Sequence, residues 1–428
     1  MKRHTRSAAA LAAVGIGAML LSGCSGGASH DEDTLVLWHY ENADSAMGIA
    51  WNKAIDIFEE ETGAKVQFEE KSFEQIRSTA SQVLNSDEAP DILEYNKGNA
   101  TAGLLSSQGL LTNLDEQVKK YGWDEKLAPS LQTTARYNED GIMGSGSWYG
   151  VPNYGEYVEV YYNKDMFADA GLEVPTTLDE FESVMQAFVD EGITPLSEAA
   201  AEYPLGQLWY QLALTKADRD WVDAYQLYTD DVDFEGPEIS YATETIADWT
   251  DKGFISPDST GLKAEDAGVA FISGDYPIFF SGSWWYNRFN TEMDADWGTF
   301  LFPGAEMSPG SAGNMWSVPE KAQNKDLAYK FIDITMRPEI QAIIGNNGGV
   351  PVAANEEDID ADSQELIANF NTLTERDGIA FYPDWPTATF YDELNAGLQE
   401  LLNGTKSPAE VQKQLGEQYQ AGVDDIVG

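Results

Sequence analysis

The sequence predicts an α/β protein with two lobes, and three observations lead to this prediction. Strand-like and helix-like segments alternate from Thr34 onward, which is typical of a parallel sheet covered by helices. The same alternation restarts after a long extended connector that ends near Tyr162. The globular part has about 400 residues, and a chain of that length tends to divide into two domains.

The first lobe is predicted to begin with three strands separated by two helices. Ser72 and Gln75 form a capping box that starts the second helix. Ligands of parallel sheets bind at the carboxyl ends of the strands, so the residues that follow the first and third strands are candidates for a site. The predicted strands are Thr34 to Trp38, Lys65 to Phe68 and Asp91 to Tyr95, and the helices are Ala46 to Glu61 and Ser72 to about Asn85. The candidate strand ends are Trp38-His39-Tyr40-Glu41 and Tyr95-Asn96-Lys97.

The second lobe is predicted to be mainly helical around a few strands. Gly171 ends a short helix, and Thr177 with Glu180 caps the next one. The tail from Asp362 is mostly helical, interrupted by the ring-rich segment Phe381 to Pro386. Further helices are predicted at Leu205 to Lys216, Tyr241 to Lys252, Lys325 to Met336 and Pro338 to Ile344.

The stretch from Tyr276 to Phe289 concentrates aromatic rings and hydrogen-bonding side chains. A buried strand, Pro277 to Phe280, breaks at Ser281-Gly282-Ser283 and is followed by Trp284, Trp285, Tyr286, Asn287 and Arg288. Flat rings beside hydrogen-bonding groups suit a ligand with apolar and hydroxylated faces, as a pyranose has. Adjacent strand residues point to opposite faces, so one of the two tryptophans is expected in the core.

The N-terminus has the pattern of a secretory signal. Basic residues precede an apolar stretch from Ala8 to Leu21, and small residues follow. The motif Leu21-Ser22-Gly23-Cys24 resembles the bacterial lipobox, which implies a lipid on Cys24 after removal of residues 1–23. Cys24 is the only cysteine, so no internal disulfide is expected. The alternative is an ordinary secreted protein with an unused thiol. Residues 24–32 are predicted to be a flexible tether.

The charge of the chain excludes two classes of partner. Removal of the signal would leave 22 basic and 73 acidic residues, a net charge of −51. Such a chain repels nucleic acid and anionic lipid, so we expect no nucleic-acid partner and membrane attachment through the lipid alone. The acids are spread along the whole length, which favours a solvated surface.

The sequence lacks most catalytic and metal-binding sets. The histidines are His4, His30 and His39, so the globular part has one histidine and no cysteine. This excludes a Ser-His-Asp triad, a Cys-His pair and a usual zinc site, and no cofactor is predicted. A glycosidase remains an alternative function, because its chemistry needs only two carboxylates. An adhesin or structural lipoprotein would show repeats or a stalk, and neither is present.

Several stretches, in this order, resemble the extracellular solute-binding proteins of ABC importers, in the sugar-binding group typified by the maltodextrin-binding protein. They are the lipobox, the first strand ending in Trp38, Pro90-Asp91-Ile92, Tyr149-Gly150-Val151-Pro152 with Tyr161 to Asp165, Ser281 to Trp284, Trp316-Ser317-Val318-Pro319 and Gly349-Val350-Pro351.

The resemblance implies two α/β lobes, each a mixed sheet flanked by helices, joined by three hinge crossovers. The crossovers would lie near Pro152 to Glu156, Asn314 to Val318 and Gly349 to Val352. Lobe 1 would hold residues 33–153 and 319–348, and lobe 2 residues 154–318 and 349–428. The implied function is capture of a carbohydrate, above all an oligosaccharide, by a monomer that delivers it to the transmembrane permease subunits of an ABC importer. A binding protein for a peptide or a polyol remains an alternative.

The resemblance also implies a set of ligand-binding residues. The chain departs from the maltodextrin-binding pattern at Asp392, where an aromatic platform is expected, and at Tyr95, where tryptophan is expected. The identity of the sugar therefore does not carry over. His39 is expected to add a pH dependence near neutrality or to make a simple polar contact. The complete set is Trp38, His39, Tyr40, Glu41, Tyr95, Asn96, Lys97, Glu156, Glu202, Tyr203, Trp284, Trp285, Tyr286, Arg288, Asn314, Trp316, Trp385, Tyr391 and Asp392.

Overall fold

The structure is a computed structural model that describes residues 33–360 and 364–427. The predicted signal peptide, the lipidation site Cys24 and the predicted tether lie outside the described residues, as do His4 and His30. Within those two ranges, no helix combines the length and the apolar character that a membrane crossing requires.

The described chain alternates strands and helices. The strands are β1 (Thr34–His39), β2 (Lys65–Glu70), β3 (Ile92–Tyr95), β4 (Arg136–Tyr137), β5 (Ser147–Trp148), β6 (Val151–Pro152), β7 (Glu156–Asn163), β8 (Leu196–Ser197), β9 (Ile278–Gly282), β10 (Trp297–Phe300), β11 (Gly310–Ser311) and β12 (Met315–Ser317). The α-helices are α1 (Ala46–Thr62), α2 (Phe73–Leu84), α3 (Leu104–Ser107), α4 (Asp115–Tyr121), α5 (Trp123–Lys126), α6 (Lys164–Ala170), α7 (Leu178–Asp190), α8 (Pro204–Leu214), α9 (Arg219–Leu227), α10 (Pro237–Asp251), α11 (Ala264–Ile272), α12 (Tyr286–Glu292), α13 (Lys325–Thr335), α14 (Pro338–Asn346), α15 (Gln364–Glu375), α16 (Phe390–Leu402) and α17 (Pro408–Val427).

Two mixed sheets form the centres of two lobes. The first has the strand order β2-β1-β3-β12-β6, in which β1 pairs in parallel with β2 and β3, and β12 is antiparallel to β3 and β6. The second has the order β10-β7-β9-β8, with β11 also paired to β7. The α/β class and the mixed sheets agree with the sequence-based prediction.

The chain passes between the sheets at two places. It leaves the first sheet at β6 and enters the second at β7, and it returns between β11 and β12. Gly155, just before β7, and Val350, after α14, form an isolated antiparallel bridge. Helices α13 and α14 pack against α1 in the first lobe, whereas α8, α10, α16 and α17 pack together in the second.

The local signals explain where several helices begin and end. The predicted capping boxes at Ser72 and Thr177 are both present, and both helices start there. Gly63 ends α1 in the left-handed conformation with φ 72°, which glycine adopts without strain. Two predictions were incomplete. The helix expected from Tyr241 begins at Pro237, because proline is favoured in the first turn, and α9, capped by Asp218, was not predicted.

Candidate functional site

A cleft of about 710 Å³ lies between the two lobes. Its size falls within the range of about 300–1,000 Å³ that is usual for small-ligand sites. The first lobe contributes the residues after β1 and β3 together with the start of α2, and the second contributes the start of α8, the turn after β9 and the segment before α16. The crossover residues Tyr154, Glu156 and Asn314 also line it.

A row of aromatic rings crosses the cleft from one lobe to the other. The rings of Tyr40 and Phe73 meet edge to face at 5.5 Å between centroids, Phe73 and Tyr203 at 6.4 Å, and Tyr203 and Trp284 at 6.0 Å. Trp284 is half-buried and lines the cleft, while Trp285 is buried and stacks on Phe289 with an interplanar angle of 13°. The row offers ring faces and edges to an apolar side of a ligand.

The turn after β9 separates the two tryptophans in a way that strand alternation did not foresee. Ser283–Trp285 form a 3-10 turn that continues into α12, so the residues no longer alternate as in a strand. Trp284 lies over Gly282, where an added Cβ would come within 1.9 Å of its ring. A glycine is therefore required beneath Trp284 to hold the ring at the cleft.

The polar side of the cleft is built around the buried ion pair of Lys97 and Glu156. The Lys97 ammonium bonds to Glu156 Oε1 and donates to Asn314 Oδ1 at 3.2 Å, and the Ser311 hydroxyl donates to Glu156 Oε1 at 3.0 Å. The same ammonium lies 5.4 Å from the centre of the Trp385 ring. Lys97 follows β3 of the first sheet and Glu156 opens β7 of the second, so this buried pair connects the two lobes.

Tyr154 connects this ion pair to a second buried carboxylate, Glu41. Its hydroxyl accepts from Asn314 Nδ2 at 2.6 Å and lies 3.3 Å from Glu41 Oε1 and 3.4 Å from Glu156 Oε2. Burial and these two carboxylate charges raise the pKa of Tyr154 well above its usual range, so the hydroxyl keeps its proton. The hydroxyl has one proton for the two carboxylates, Glu41 and Glu156. Carboxylate oxygens therefore remain available to accept hydrogen bonds from a ligand.

Burial shifts two acids of the cleft, Glu41 and Asp384, toward their neutral forms. Burial, together with the charge of Glu156, raises the pKa of Glu41 to about 7, and burial raises the pKa of Asp384 to about 6. Inside the second lobe, burial raises the pKa of Glu159 to about 7. Burial lowers the pKa of Lys97, and the neighbouring Glu156 charge opposes that effect.

The folded protein is expected to be more stable at pH 5.5 than at pH 8, by several degrees in melting temperature. As the pH rises from about 4.5 to 7, the folded protein holds protons on Glu41 and Glu159 that the unfolded chain has lost, so the free energy of unfolding falls. Differential scanning calorimetry at constant ionic strength measures the effect, and Glu41→Gln should reduce the slope. A melting temperature that rises toward pH 8 would contradict the assignment of buried, proton-holding acids.

Contacts at the mouth of the cleft link the lobes. Arg77 on α2 pairs with Asp392 on α16 at 3.2 Å, and its guanidinium lies 4.1 Å from the centre of the Tyr391 ring. The Tyr391 hydroxyl donates to Glu74 Oε1 at 2.8 Å. At another point, Asn287 Nδ2 donates to the carbonyl oxygen of Asp44 at 2.8 Å. These contacts hold the lobes against each other over the cleft.

The structure brings most of the sequence-predicted site residues to the cleft and puts six elsewhere. Those that line it are Tyr40, Glu41, Asn96, Lys97, Glu156, Glu202, Tyr203, Trp284, Trp285, Arg288, Asn314, Trp385 and Tyr391. Those that do not are Trp38, His39, Tyr95, Tyr286, Trp316 and Asp392.

Three of the six residues that do not line the cleft are aromatic residues in the cores of the lobes. Trp316 is fully buried and packs edge to face on Trp51 at 5.1 Å, because its strand β12 is central in the first sheet. Tyr95 is buried at the end of β3 in the first core. Tyr286 is buried in the second core and packs edge to face against Trp297 at 4.9 Å. Large rings at strand centres and on inward helix faces supply core area.

The other three residues, His39, Trp38 and Asp392, lie outside the cleft lining for different reasons. His39 is buried and stacks on Phe68 at 4.1 Å, and its Nδ1 accepts from the Glu41 backbone N–H at 3.2 Å, which is the simple polar contact given as the alternative. Burial lowers the pKa of His39 to about 4, which does not support a pH dependence near neutrality from this residue. Trp38 has its ring under the Lys71 ammonium at 4.5 Å. The Asp392 side chain points outward on α16, where it pairs with Arg77.

Sequence reasoning missed several residues that line the cleft. Phe73, Tyr154, Gln207, Tyr382 and Asp384 all do so. Two signals could have found some of them: Tyr382 and Asp384 lie in the ring-rich segment before α16, and Tyr154 lies in the predicted first crossover. Phe73 and Gln207 are ordinary helix residues in sequence, and only the approach of the two lobes brings them to the cleft.

The described ranges contain no cluster of three or more His, Cys, Asp or Glu side chains that could hold a metal ion. The groups that line the cleft are aromatic rings, hydroxyl and amide groups, and charged side chains. This combination can bind a polar ligand that also has apolar faces.

Comparison with known proteins gives relatives along the whole chain. The diacetylchitobiose binding protein DasA of Streptomyces coelicolor is 24% identical over 96% of this chain and 97% of its own. The multiple sugar-binding protein of Streptococcus mutans is 24% identical over 80% of this chain and 81% of its own.

Solved structures share the fold. A chitin oligosaccharide binding protein superposes with a TM-score of 0.77 at 22% identity, over 91% of this chain and 99% of that one. A protein from work on xylan utilization by Caldanaerobius polysaccharolyticus reaches a TM-score of 0.79 at 19% identity, over 90% and 99%. Residues 53–371 match the model of the bacterial extracellular solute-binding protein family. The chain is thus a member of the bacterial extracellular solute-binding protein family.

Proposed function

We propose that this protein captures a carbohydrate, most specifically an oligosaccharide, in the cleft between its lobes and delivers it to the permease of an ABC importer. The observation that carries the proposal is the cleft itself, where a row of rings faces the buried Lys97–Glu156 and Glu41–Tyr154 groups. Rings stack on the apolar faces of a sugar, and carboxylate and amide groups bind its hydroxyls. The names of relatives, which include diacetylchitobiose and multiple sugar-binding proteins, support the same ligand class.

Capture is proposed to occur by closure of the lobes. The crossovers near β6, β12 and Val350 would act as hinges, with lobe 1 formed by residues 33–153 and 319–348 and lobe 2 by 154–318 and 349–428. A ligand that contacts both lobes stabilises the closed form. The permease subunits would then bind a surface that only the closed form presents.

The protein is further proposed to act as a monomer on the outer face of the cell membrane, anchored through a lipid on Cys24. The support is the lipobox-like motif and the fact that the family is one of extracellular proteins. Treatment of cells with a labelled fatty acid, comparing wild type with Cys24→Ala, tests the anchor. Loss of label and release of the variant into the medium are expected.

A thermal-shift screen of the chain from Ser25 onward tests the capture of a carbohydrate. A ligand that binds only the folded state raises the melting temperature, by an amount that grows with its concentration over Kd. A shift with a small set of related oligosaccharides, without their hydrolysis overnight, is expected. Hydrolysis would favour a glycosidase, and shifts with peptides or polyols alone would reject the carbohydrate.

A further inference from the structure

The charged groups that line the cleft are unevenly balanced. Eight carboxylates and four cations line it, and each of the cations already has an acidic partner within 4 Å, so none is left for an anionic ligand. Several carboxylates, by contrast, have no cation partner among the described residues. The four pairs are Lys71–Glu69, Lys97–Glu156, Lys263–Glu202 and Arg288–Glu265.

Glu41 is the buried member of these unpaired acids. The residue is 9% exposed and lines the cleft, and its side-chain hydrogen bonds are long: 3.3 Å from the Tyr154 hydroxyl and 3.4 Å from the Ser45 hydroxyl. A carboxylate accepts about four hydrogen bonds, so about half of its capacity is open. A buried acid without a cation is unfavourable unless a charge partner arrives or it takes up a proton.

The groups that face Glu41 do not supply that partner. Glu94 from β3 and Glu156 from β7 disfavour its ionised form, and Lys97 favours it but is held by Glu156. Tyr40 and Tyr154 are neutral, since burial raises the pKa of both. The cluster therefore carries an excess of negative charge whenever Glu41 is ionised.

A second, independent feature lies on α8 in the opposite lobe. Gln207 is 4% exposed and lines the cleft, yet its Oε1 has no hydrogen-bond partner within the described structure. A buried acceptor without a donor destabilises the structure by about 1–3 kcal/mol. A ligand group that donates a hydrogen bond to this oxygen would remove that cost. Both lobes thus present acceptors to the cleft.

We propose that the ligand is an oligosaccharide bearing at least one protonated amine, that Glu41 receives this amine, and that sugars bearing carboxylate or phosphate groups are excluded. An ammonium supplies three donors and one positive charge, which match the acceptors and the missing cation. The inference depends on the proposed capture of a carbohydrate and specifies its ligand class.

Isothermal titration calorimetry at pH 6.5 tests this inference with three oligosaccharides of equal length, built from glucosamine, N-acetylglucosamine or galacturonic acid. The glucosamine form is expected to bind at least about tenfold more tightly than the N-acetyl form, and the galacturonate form not at all. Equal or tighter binding of the N-acetyl form, or any binding of the galacturonate form, would overturn the amine while leaving carbohydrate capture intact. No binding of any sugar in this set or in the thermal-shift screen would overturn both.

Proton release provides a measurement on the wild-type protein. Burial and Glu156 raise the pKa of Glu41 to about 7, so a cation that binds at pH 6.5 displaces a proton from it. Titrations in two buffers of different ionisation enthalpy should reveal net release with the glucosamine form and none with the N-acetyl form. Equal proton exchange for the two would contradict the role of Glu41.

Two variants that each remove one negative charge test whether Glu41 causes the preference for the amine. Glu41→Gln should reduce the preference for the glucosamine form by at least tenfold and abolish the proton release. Glu60→Gln, on the exposed side of α1, should keep both. Melting curves establish that each variant folds, and a Glu41→Gln protein that retains the preference would overturn the proposal.

Discussion

Replacing Lys97 with methionine is expected to lower the free energy of unfolding by about 3–5 kcal/mol at pH 8. Lys97 is 1% exposed, and the loss of its ammonium leaves the Glu156 carboxylate buried and without its cation. Glu41, linked to Glu156 through Tyr154, adds to the uncompensated charge. The cost should be smaller at pH 5, because Glu41 is then mostly protonated. Urea denaturation at both pH values measures it.

A matched control for Lys97 is Lys126→Met. Lys126 also pairs with one acid, Asp333 at 3.1 Å, but both side chains are about 30% exposed. Its removal should cost less than about 1 kcal/mol, as for other solvent-accessible pairs. The double variant Lys97→Met/Glu156→Gln should recover part of the lost stability, because it removes the orphaned charge. A Lys97→Met protein as stable as wild type would contradict the buried network.

Replacing Trp284 with alanine is expected to weaken sugar binding by about 1–3 kcal/mol and to leave stability almost unchanged. The ring is half-buried, lies on Gly282 and lines the cleft. A ligand would therefore lose a stacking surface that the fold itself hardly needs. Calorimetric titration with the oligosaccharide that gives the largest thermal shift measures the loss of affinity.

Trp285→Ala is the natural comparison, because the two residues are adjacent and identical. Trp285 is 4% exposed, stacks on Phe289, and lies under the Arg288 guanidinium at 4.7 Å. Its truncation should cost about 3–5 kcal/mol of unfolding free energy through the cavity that it leaves. If Trp284→Ala bound sugar as tightly as wild type, the aromatic row would have no part in recognition.

The sequence was most informative where the signals are local. Caps at Ser72 and Thr177 and the glycine after α1 are set by nearest neighbours, and the predicted helices begin or end there. The strand β12 is different: it is inserted antiparallel between β3 and β6, although more than 150 residues separate it from either along the chain. Pairing over such distances depends on the whole fold, so a short apolar segment gives little indication of it.

For the candidate site, too, the sequence predicted the features that depend on local position and missed those that depend on the whole fold. Strand ends at Glu41 and Lys97, and the turn at Trp284, were found because position in an element decides where they lie. Tyr95 and Trp316 were misassigned, since short strands buried on both faces have no alternation to separate core from cleft. The hydroxyl of Tyr154 joins Glu41 and Glu156 only after the two lobes come together, and no pattern in the sequence encodes that contact.

A crystal structure of this protein with the oligosaccharide of highest affinity would test capture of a sugar between the lobes. One ligand is expected between the lobes, with a sugar ring against Trp284 and its polar groups on Glu41, Glu156 and Lys97. A ligand bound on an outer surface, or a cleft ligand that touches neither Trp284 nor this buried network, would contradict it.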